Sequence, residues 1–219
     1  MELYHVLNRG VDKRNVVVDD FDRFRFVHSL FVFNDKHALN PNHGRKGEFL
    51  KTFDRDPLVL IHAWCLMDNH YHLLVSPIND DLKSLSQFMK KLNMGYARYF
   101  NERHERSGYL WQGRYKKIHI EQDAHFLYIP FYIHLNPLDF LGKSWRSGEM
   151  TSSESAVDFL SQYRWSSYQD YSGEKNFNSV IHKELLRPIL GNSSAQLKVI
   201  NQIISSADLA QGSLRIEQK

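Results

Sequence analysis

The chain is predicted to be an α+β protein. The expected architecture is a ferredoxin-like or RRM-like antiparallel sheet with helices on one face, followed by a mainly helical C-terminal extension. Three observations predict it. Apolar residues run continuously over short segments and recur at helical spacing over longer ones. These segments follow one another as strand, helix, strand, strand, helix, strand, helix, which is the split βαβ order. After about Leu141 the chain becomes more polar and nearly neutral. This divides the 219 residues into a domain over 1–140 and an extension over 141–219, lengths that suit one buried core and an appendage.

The elements are justified in chain order. Leu3 to Asn8 reads as a short strand that Asn8-Arg9-Gly10 ends with turn residues. Asn15 to Val18, rich in valine, predicts a second extended piece. Asp19-Asp20 supplies an N-cap and a first-turn acid. The spacing of Phe21, Phe24, Val27 and Phe31 then predicts a helix from Asp20 to Lys36. Asn40 to Asp56 has no periodic apolar face and reads as a loop. Pro57 to Leu66 is apolar enough for a buried central strand. His70 to Ser76 follows across a tight Met67-Asp68-Asn69 connection as its hairpin partner, ended by Pro77. Leu82, Leu85, Phe88, Met89, Leu92 and Tyr96 form one face of a helix over Asp81 to Arg103, stopped at Ser107-Gly108. Gly113 to Glu121 reads as a strand. Asp123 opens a helix that runs to Leu135 before Pro137. The extension carries helical patterns over Ser153–Gln162, His182–Leu190 and Ala195–Ser206.

Composition limits the function classes. Hydrophobic residues at 42% and charged residues at 24% are the balance of a soluble globular chain. No apolar run reaches the roughly 18 residues of a membrane span, and Met1-Glu2-Leu3-Tyr4-His5 lacks the basic and apolar parts of a secretory signal. The single cysteine, Cys65, gives no disulfide framework. Together these lead to an expected cytoplasmic location with no membrane partner; the sequence leaves monomer and homodimer both open. The charge is uneven. Residues 78–117 hold nine bases against four acids, a net +5, while the whole chain carries +3. Tyr96, Tyr99, Phe100, Tyr109, Trp111 and Tyr115 lie among these bases. On charge alone a solvated helix face is the better reading. The rings shift it, because basic side chains that follow a backbone and rings that stack on unpaired bases are how single-stranded nucleic acid is held, although some of these rings must belong to the core.

Two constellations carry chemistry. His70 and His72 are two residues apart in a predicted strand, so both imidazoles point to one face. Two convergent neutral imidazoles begin a divalent metal site. Two buried, hydrogen-bonded structural histidines fit the same spacing. Tyr132 and Asn136 share a helix face four residues apart. Asn136 offers an amide oxygen suited to Mg²⁺ or Mn²⁺, and Tyr132 a phenol capable of covalent catalysis. By spacing alone, Tyr132 packing on the sheet and Asn136 capping the helix before Pro137 is the better reading, since asparagine before proline often marks a helix end.

The segments Tyr4-His5-Val6, Asn8-Arg9-Gly10 and Met67-Asp68-Asn69-His70-Tyr71-His72-Leu73-Leu74 resemble the first strand and histidine motif of HUH single-tyrosine transposases. Within that superfamily they are most similar to REP-associated tyrosine transposases, of the IS200-like transposase domain. Leu110-Trp111-Gln112-Gly113-Arg114-Tyr115-Lys116, Tyr132-Ile133-His134-Leu135-Asn136-Pro137 and Trp165-Ser166-Ser167-Tyr168 resemble three further motifs in order. The resemblance spans Leu3 to Gly173. Two positions depart from it: Asp68 stands where proline is common, and Tyr71 where an aliphatic residue is usual, so Tyr71 should face away from a metal.

The resemblance implies that His70, His72 and Asn136 hold one divalent ion, Mg²⁺ or Mn²⁺. It implies that Tyr132 attacks a phosphate of single-stranded or hairpin DNA, leaving a 5′-phosphotyrosine link that a 3′-hydroxyl can later reverse. Tyr128, one turn earlier, is the rival nucleophile. His134 lies on another helix face, while His119 and Glu121 are candidates for lining the site. Arg98, Arg103, Arg114, Lys116 and Lys117 are the candidate backbone contacts, with Arg9, Lys13 and Arg14 behind them. The rival readings are a non-catalytic single-strand-binding module on the same fold, and a metal phosphodiesterase that activates water.

Overall fold

The computed structural model describes residues 1–37, 55–121, 123–142, 144–148, 150 and 153–206. Four strands, β1 (Tyr4–Arg9), β2 (Val59–Leu66), β3 (His70–Pro77) and β4 (Lys116–His119), form one antiparallel sheet in the order β2-β3-β1-β4. Helix α1 (Asp20–Val32) links β1 to β2, and α2 (Leu82–Arg103) links β3 to β4. That is the split βαβ arrangement expected from the order of the elements. Helix α3 (Asp123–Leu135) follows, then a 3-10 turn over Asn136–Leu141 and the extension: α4 (Ser144–Ser147), α5 (Ser153–Gln162), α6 (Tyr168–Ser172), α7 (Arg187–Leu190) and α8 (Ser193–Ile204).

Register decides which residues share a face. Arg9 lies opposite His70, Leu7 opposite His72 and His5 opposite Leu74. Side chains alternate, so His5, Leu7, Arg9, His70, His72 and Leu74 share one face. Tyr4, Val6, Tyr71, Leu73 and Val75 occupy the other. That second face is covered by α1 and α2, through Phe26, Val27, Leu30, Leu85, Phe88, Leu92 and Tyr96. Burial of each such aliphatic or phenyl side chain is worth about 1.5–3 kcal/mol. The histidine-bearing face is covered instead by α3 and the extension, through Ile129, Ile133, Trp145, Leu160 and Ile200. A bulge at His62 makes both Ile61 and Trp64 face the helices despite being three residues apart, since Ile61 pairs with Val75 and Ala63 with Leu74.

Local signals set the helix starts. The Asp19 carboxylate accepts from Asp22 N before α1, Asp81 accepts from Lys83 N before α2, and Asn192 from Ala195 N before α8. Gly95 lets α2 approach α1, because a Cβ there would sit 2.4 Å from the Phe33 ring.

Several expectations change. Asn15–Val18 is not a strand: Val16 N and Val17 N both donate to Asp68 O, and the two valines are buried as a plug under the hairpin turn. The strand expected over Gly113–Glu121 is paired only over Lys116–His119. Helix α1 ends at Val32, and its buried face is Phe26, Val27 and Leu30, leaving Phe21 75% and Phe24 43% exposed. Phe24 instead meets Trp165 of the extension edge-on at 4.9 Å. Only Arg187–Leu190 is helical within His182–Leu190. Most of the expected Asn40–Asp56 loop lies outside the described residues.

The extension also closes a sheet edge. Leu66 N donates to Trp165 O at 2.9 Å, Ser167 N to Trp64 O at 2.9 Å, and Trp64 N to Ser167 Oγ at 3.0 Å. The Trp165–Tyr168 segment therefore satisfies the outer edge of β2, which an open edge strand would otherwise present to other chains.

Candidate active site

The site sits on the histidine-bearing face, where β1, β3 and α3 meet. Strand alternation puts His70 and His72 side by side, with ring centroids 5.0 Å apart and planes nearly perpendicular. Helix α3 packs over β2 and β3 and lays the Tyr132 ring edge-on to His72 at 5.6 Å. His5 from β1 joins them: its ring stacks on His72 at 5.1 Å and meets Tyr132 edge-on at 6.0 Å. A phenol and an imidazole pair sixty residues apart in the chain are thus brought to one place. Tyr71, between the two histidines, points to the opposite face and donates to Asn93 Oδ1 at 2.8 Å, as expected of a residue turned away from the site.

Hydrogen bonds set the imidazole tautomers. Asn69 Nδ2 donates to Lys13 O at 3.1 Å, which orients its amide. Its Oδ1 then faces His70 Nδ1 at 2.6 Å and can only accept, so Nδ1 carries a proton and the lone pair of the neutral tautomer lies on Nε2. His72 is completely buried, and burial, reinforced by His70, His5 and Arg146, holds its pKa well below the ordinary histidine value. A neutral ring is what a metal ligand requires.

Asn136 follows Tyr132 by one helical turn. Its Nδ2 donates to Tyr132 O at 2.8 Å, which is the helix-capping role expected from an asparagine before Pro137. Its Oδ1 accepts from Arg146 Nη2 at 2.9 Å. Arg146, on α4, also reaches the Tyr132 hydroxyl with Nη1 at 3.4 Å and is anchored on Asp139 through Nε at 2.8 Å and Nη2 at 3.0 Å. Trp145 Nε1 donates to the same Asp139 carboxylate at 2.7 Å. The contacts to Asp139 and Tyr132 outweigh desolvation and raise the Arg146 pKa, so the guanidinium stays charged.

The residues fit a divalent ion in part. Two oriented imidazoles, that of His72 held neutral by burial, suit one. The amide oxygen of Asn136 keeps a second lone pair, but the guanidinium beside it opposes another cation. Among the described residues no group of three or more His, Cys, Asp and Glu side chains is placed to hold a metal.

The other candidates fall in several places. Tyr128 stacks on Tyr132 at 6.4 Å, one turn along the same helix. His134 bonds Ser167 Oγ at 2.8 Å, and burial pushes its pKa down to about 3, so it ties α3 to the extension. His119 stacks on Tyr4 at 4.8 Å and bonds Glu121 at 3.0 Å, on the α1–α2 side of the sheet. Lys116 pairs with Leu7 in register and so shares the histidine face, while Lys117 faces the other way, its Nζ 5.1 Å from the Tyr4 ring. Arg114 is exposed just before β4. Arg98 is 81% exposed and bonds Glu102. Arg103 bonds both Asp19 and Asp22, fastening α2 to the start of α1 across the sheet from the histidines.

Sequence reading missed His5, Arg146 and Asp139. His5 had a signal, since it shares strand parity with Leu3 and Leu7, but only pairing register shows that this parity meets the histidines. Arg146 lies in a segment with no pattern to place it.

The profile of a family described as "Transposase IS200 like" matches residues 26–136, which include His70, His72, Tyr132 and Asn136. No curated protein matches the chain. A solved structure described as a REP-associated tyrosine transposase bound to a REP hairpin is similar at 13% identity and a TM-score of 0.45, covering 80% of this chain and 82% of that one.

Proposed function

The chain belongs to the IS200-like transposase family, of HUH single-tyrosine transposases, and on that premise we propose that it nicks and rejoins single-stranded DNA through a covalent link to Tyr132. The observation that carries the reading is the Tyr132 ring lying edge-on to both His72 and His5, at 5.6 and 6.0 Å.

In the forward step the Tyr132 oxygen forms a bond to the phosphorus and the phosphorus–O3′ bond breaks. The proton given up by the phenol is balanced by the one gained at the departing 3′-oxygen. The link is a 5′-phosphotyrosine diester, so attack by another 3′-hydroxyl rejoins strands without nucleotide energy. His70 and His72, with Asn136 as the third donor once its oxygen is released, would hold Mg²⁺ or Mn²⁺, whose charge offsets that gathering on the phosphate. Before α4 moves, Arg146 sits beside the phenol and favours its deprotonated form. Tyr132 is fully buried under Trp145 and Arg146, so a phosphodiester reaches it only when α4 moves aside. Arg114, Lys116 and Lys117 line the exposed β4 edge and are suited to a phosphate backbone. Hairpin DNA with an adjoining unpaired segment is the expected substrate.

The test incubates the protein with single-stranded hairpin DNA and Mn²⁺, followed by a denaturing gel. A shifted protein–DNA band is expected that vanishes in Tyr132→Phe and persists in Tyr128→Phe. Cleavage without the band would point to activated water, and binding without cleavage across many substrates to a non-catalytic module.

A further inference from the structure

His5 is a completely buried histidine that the reaction above does not use. It lies on β1, at the centre of the sheet, with its Nε2 2.9 Å from His72 Nδ1. Two neutral imidazoles in this contact share one proton: one ring donates and the other accepts. The direction matters. If His72 Nδ1 donates, the lone pair of His72 lies on Nε2. If His72 Nδ1 accepts, Nε2 carries the proton and cannot ligate.

The neighbouring ring indicates the direction. At His70, Asn69 Oδ1 takes the Nδ1 proton and leaves the lone pair on Nε2. A matching tautomer at His72 gives the pair two equivalent Nε2 donors on one face. The stacked arrangement of His5 on His72, with 17° between ring planes, also fixes the angle of the His72 ring. Ligating histidines characteristically hand their other ring proton to such a partner.

We propose that His5 is a positioning residue: it accepts the Nδ1 proton of His72 and thereby holds His72 in the Nε2-ligating tautomer and orientation. His5 does for His72 what Asn69 does for His70. The inference rests on the metal reading above.

Two measurements test it. In metal-free protein with ¹⁵N-labelled histidine, long-range proton–nitrogen spectra at neutral pH are expected to show His72 protonated at Nδ1 and bare at Nε2. The opposite tautomer overturns the inference whatever the variants do. Mn²⁺ is then titrated by electron paramagnetic resonance against the wild type, His5→Gln and His5→Phe. A Gln oxygen can reach the position of His5 Nε2 and still accept the proton; Phe keeps the stacking and cannot accept. The expected result is Mn²⁺ affinity near wild type in His5→Gln and weakened about 10–100-fold in His5→Phe. Wild-type binding with both variants equal to it refutes the role of His5 and leaves the metal reading standing. No Mn²⁺ binding by the wild type refutes the metal reading, and the proposal with it. If His5→Phe fails to fold, the wild-type tautomer and His5→Gln decide: an Nε2-protonated His72, or loss of Mn²⁺ in His5→Gln, overturns the assignment.

Discussion

Replacing Arg146 by methionine tests the clamp over the tyrosine most directly. The guanidinium makes two bonds to Asp139, one to Asn136 Oδ1 and a long one to the Tyr132 hydroxyl. The two side chains of the ion pair are 10% and 21% exposed. Removing one partner of a fully buried pair costs about 3–5 kcal/mol, and an exposed pair is worth under about 1 kcal/mol. Arg146 lies nearer the buried limit, but Asp139 keeps its bond from Trp145 and is itself partly exposed. The expected loss is therefore about 2–3 kcal/mol, a fall in Tm of roughly 4–12 °C for a chain of this size. Adding Asp139→Asn should recover part of it, because the stranded carboxylate charge is gone. Urea denaturation of the single and double variants measures both. A loss below about 0.5 kcal/mol would show the pair to be an ordinary surface contact. The same substitution removes a cation 2.9 Å from the Asn136 oxygen, so Mn²⁺ should bind about tenfold tighter, roughly 1.4 kcal/mol. Weaker binding would mean that Arg146 props the amide oxygen instead of competing for it.

Four further outcomes are expected. His70→Ala and His72→Ala should abolish DNA cleavage while leaving gel-shift affinity within a few-fold, because basic side chains carry the affinity; unchanged cleavage in EDTA would contradict this. Arg114→Ala, Lys116→Ala and Lys117→Ala should each lower the salt dependence of DNA binding by about one ion, whereas Arg103→Ala should lower thermal stability more than DNA affinity, given its bonds to Asp19 and Asp22. Gly95→Ala should destabilise by about 1–3 kcal/mol, since its methyl would overlap the Phe33 ring; an unchanged urea midpoint would mean that α1 and α2 separate freely. Burial pushes His62 down to about 4 and His134 to about 3. An unfolded histidine titrates near 6.5, so between about pH 6.5 and 4 the unfolded chain binds protons that the folded chain refuses. Stability is complete above that window and falls as pH drops through it, by roughly 3 kcal/mol for His62 alone. A flat urea midpoint from pH 7 to 4.5 would show that these rings are not held neutral.

The order of elements, the long helix faces and the motif pairs were legible because each depends on residues near one another in the chain. Period two puts His70 and His72 on one face of a strand, and period 3.6 puts Tyr132 and Asn136 on one face of a helix, whatever the tertiary contacts. Helix α3 runs from Asp123 to Leu135 as its flanking signals require. The valines of Asn15–Val18 misled because β-branched residues fit a buried irregular plug as well as a strand, and only the bonds to Asp68 O distinguish the two. The α1 face was misplaced because four phenylalanines, Phe21, Phe24, Phe26 and Phe31, offer competing stripes. The choice among them depends on what covers each stripe. Local sequence thus determined which side chains stand together on each element. Register and packing alone decided that β1 sets His5 against His72, that α3 carries Tyr132 to them, and that α4 lays Arg146 over the result. Those are relations between surfaces, and backbone pairing and core burial set them only after the chain has closed on itself.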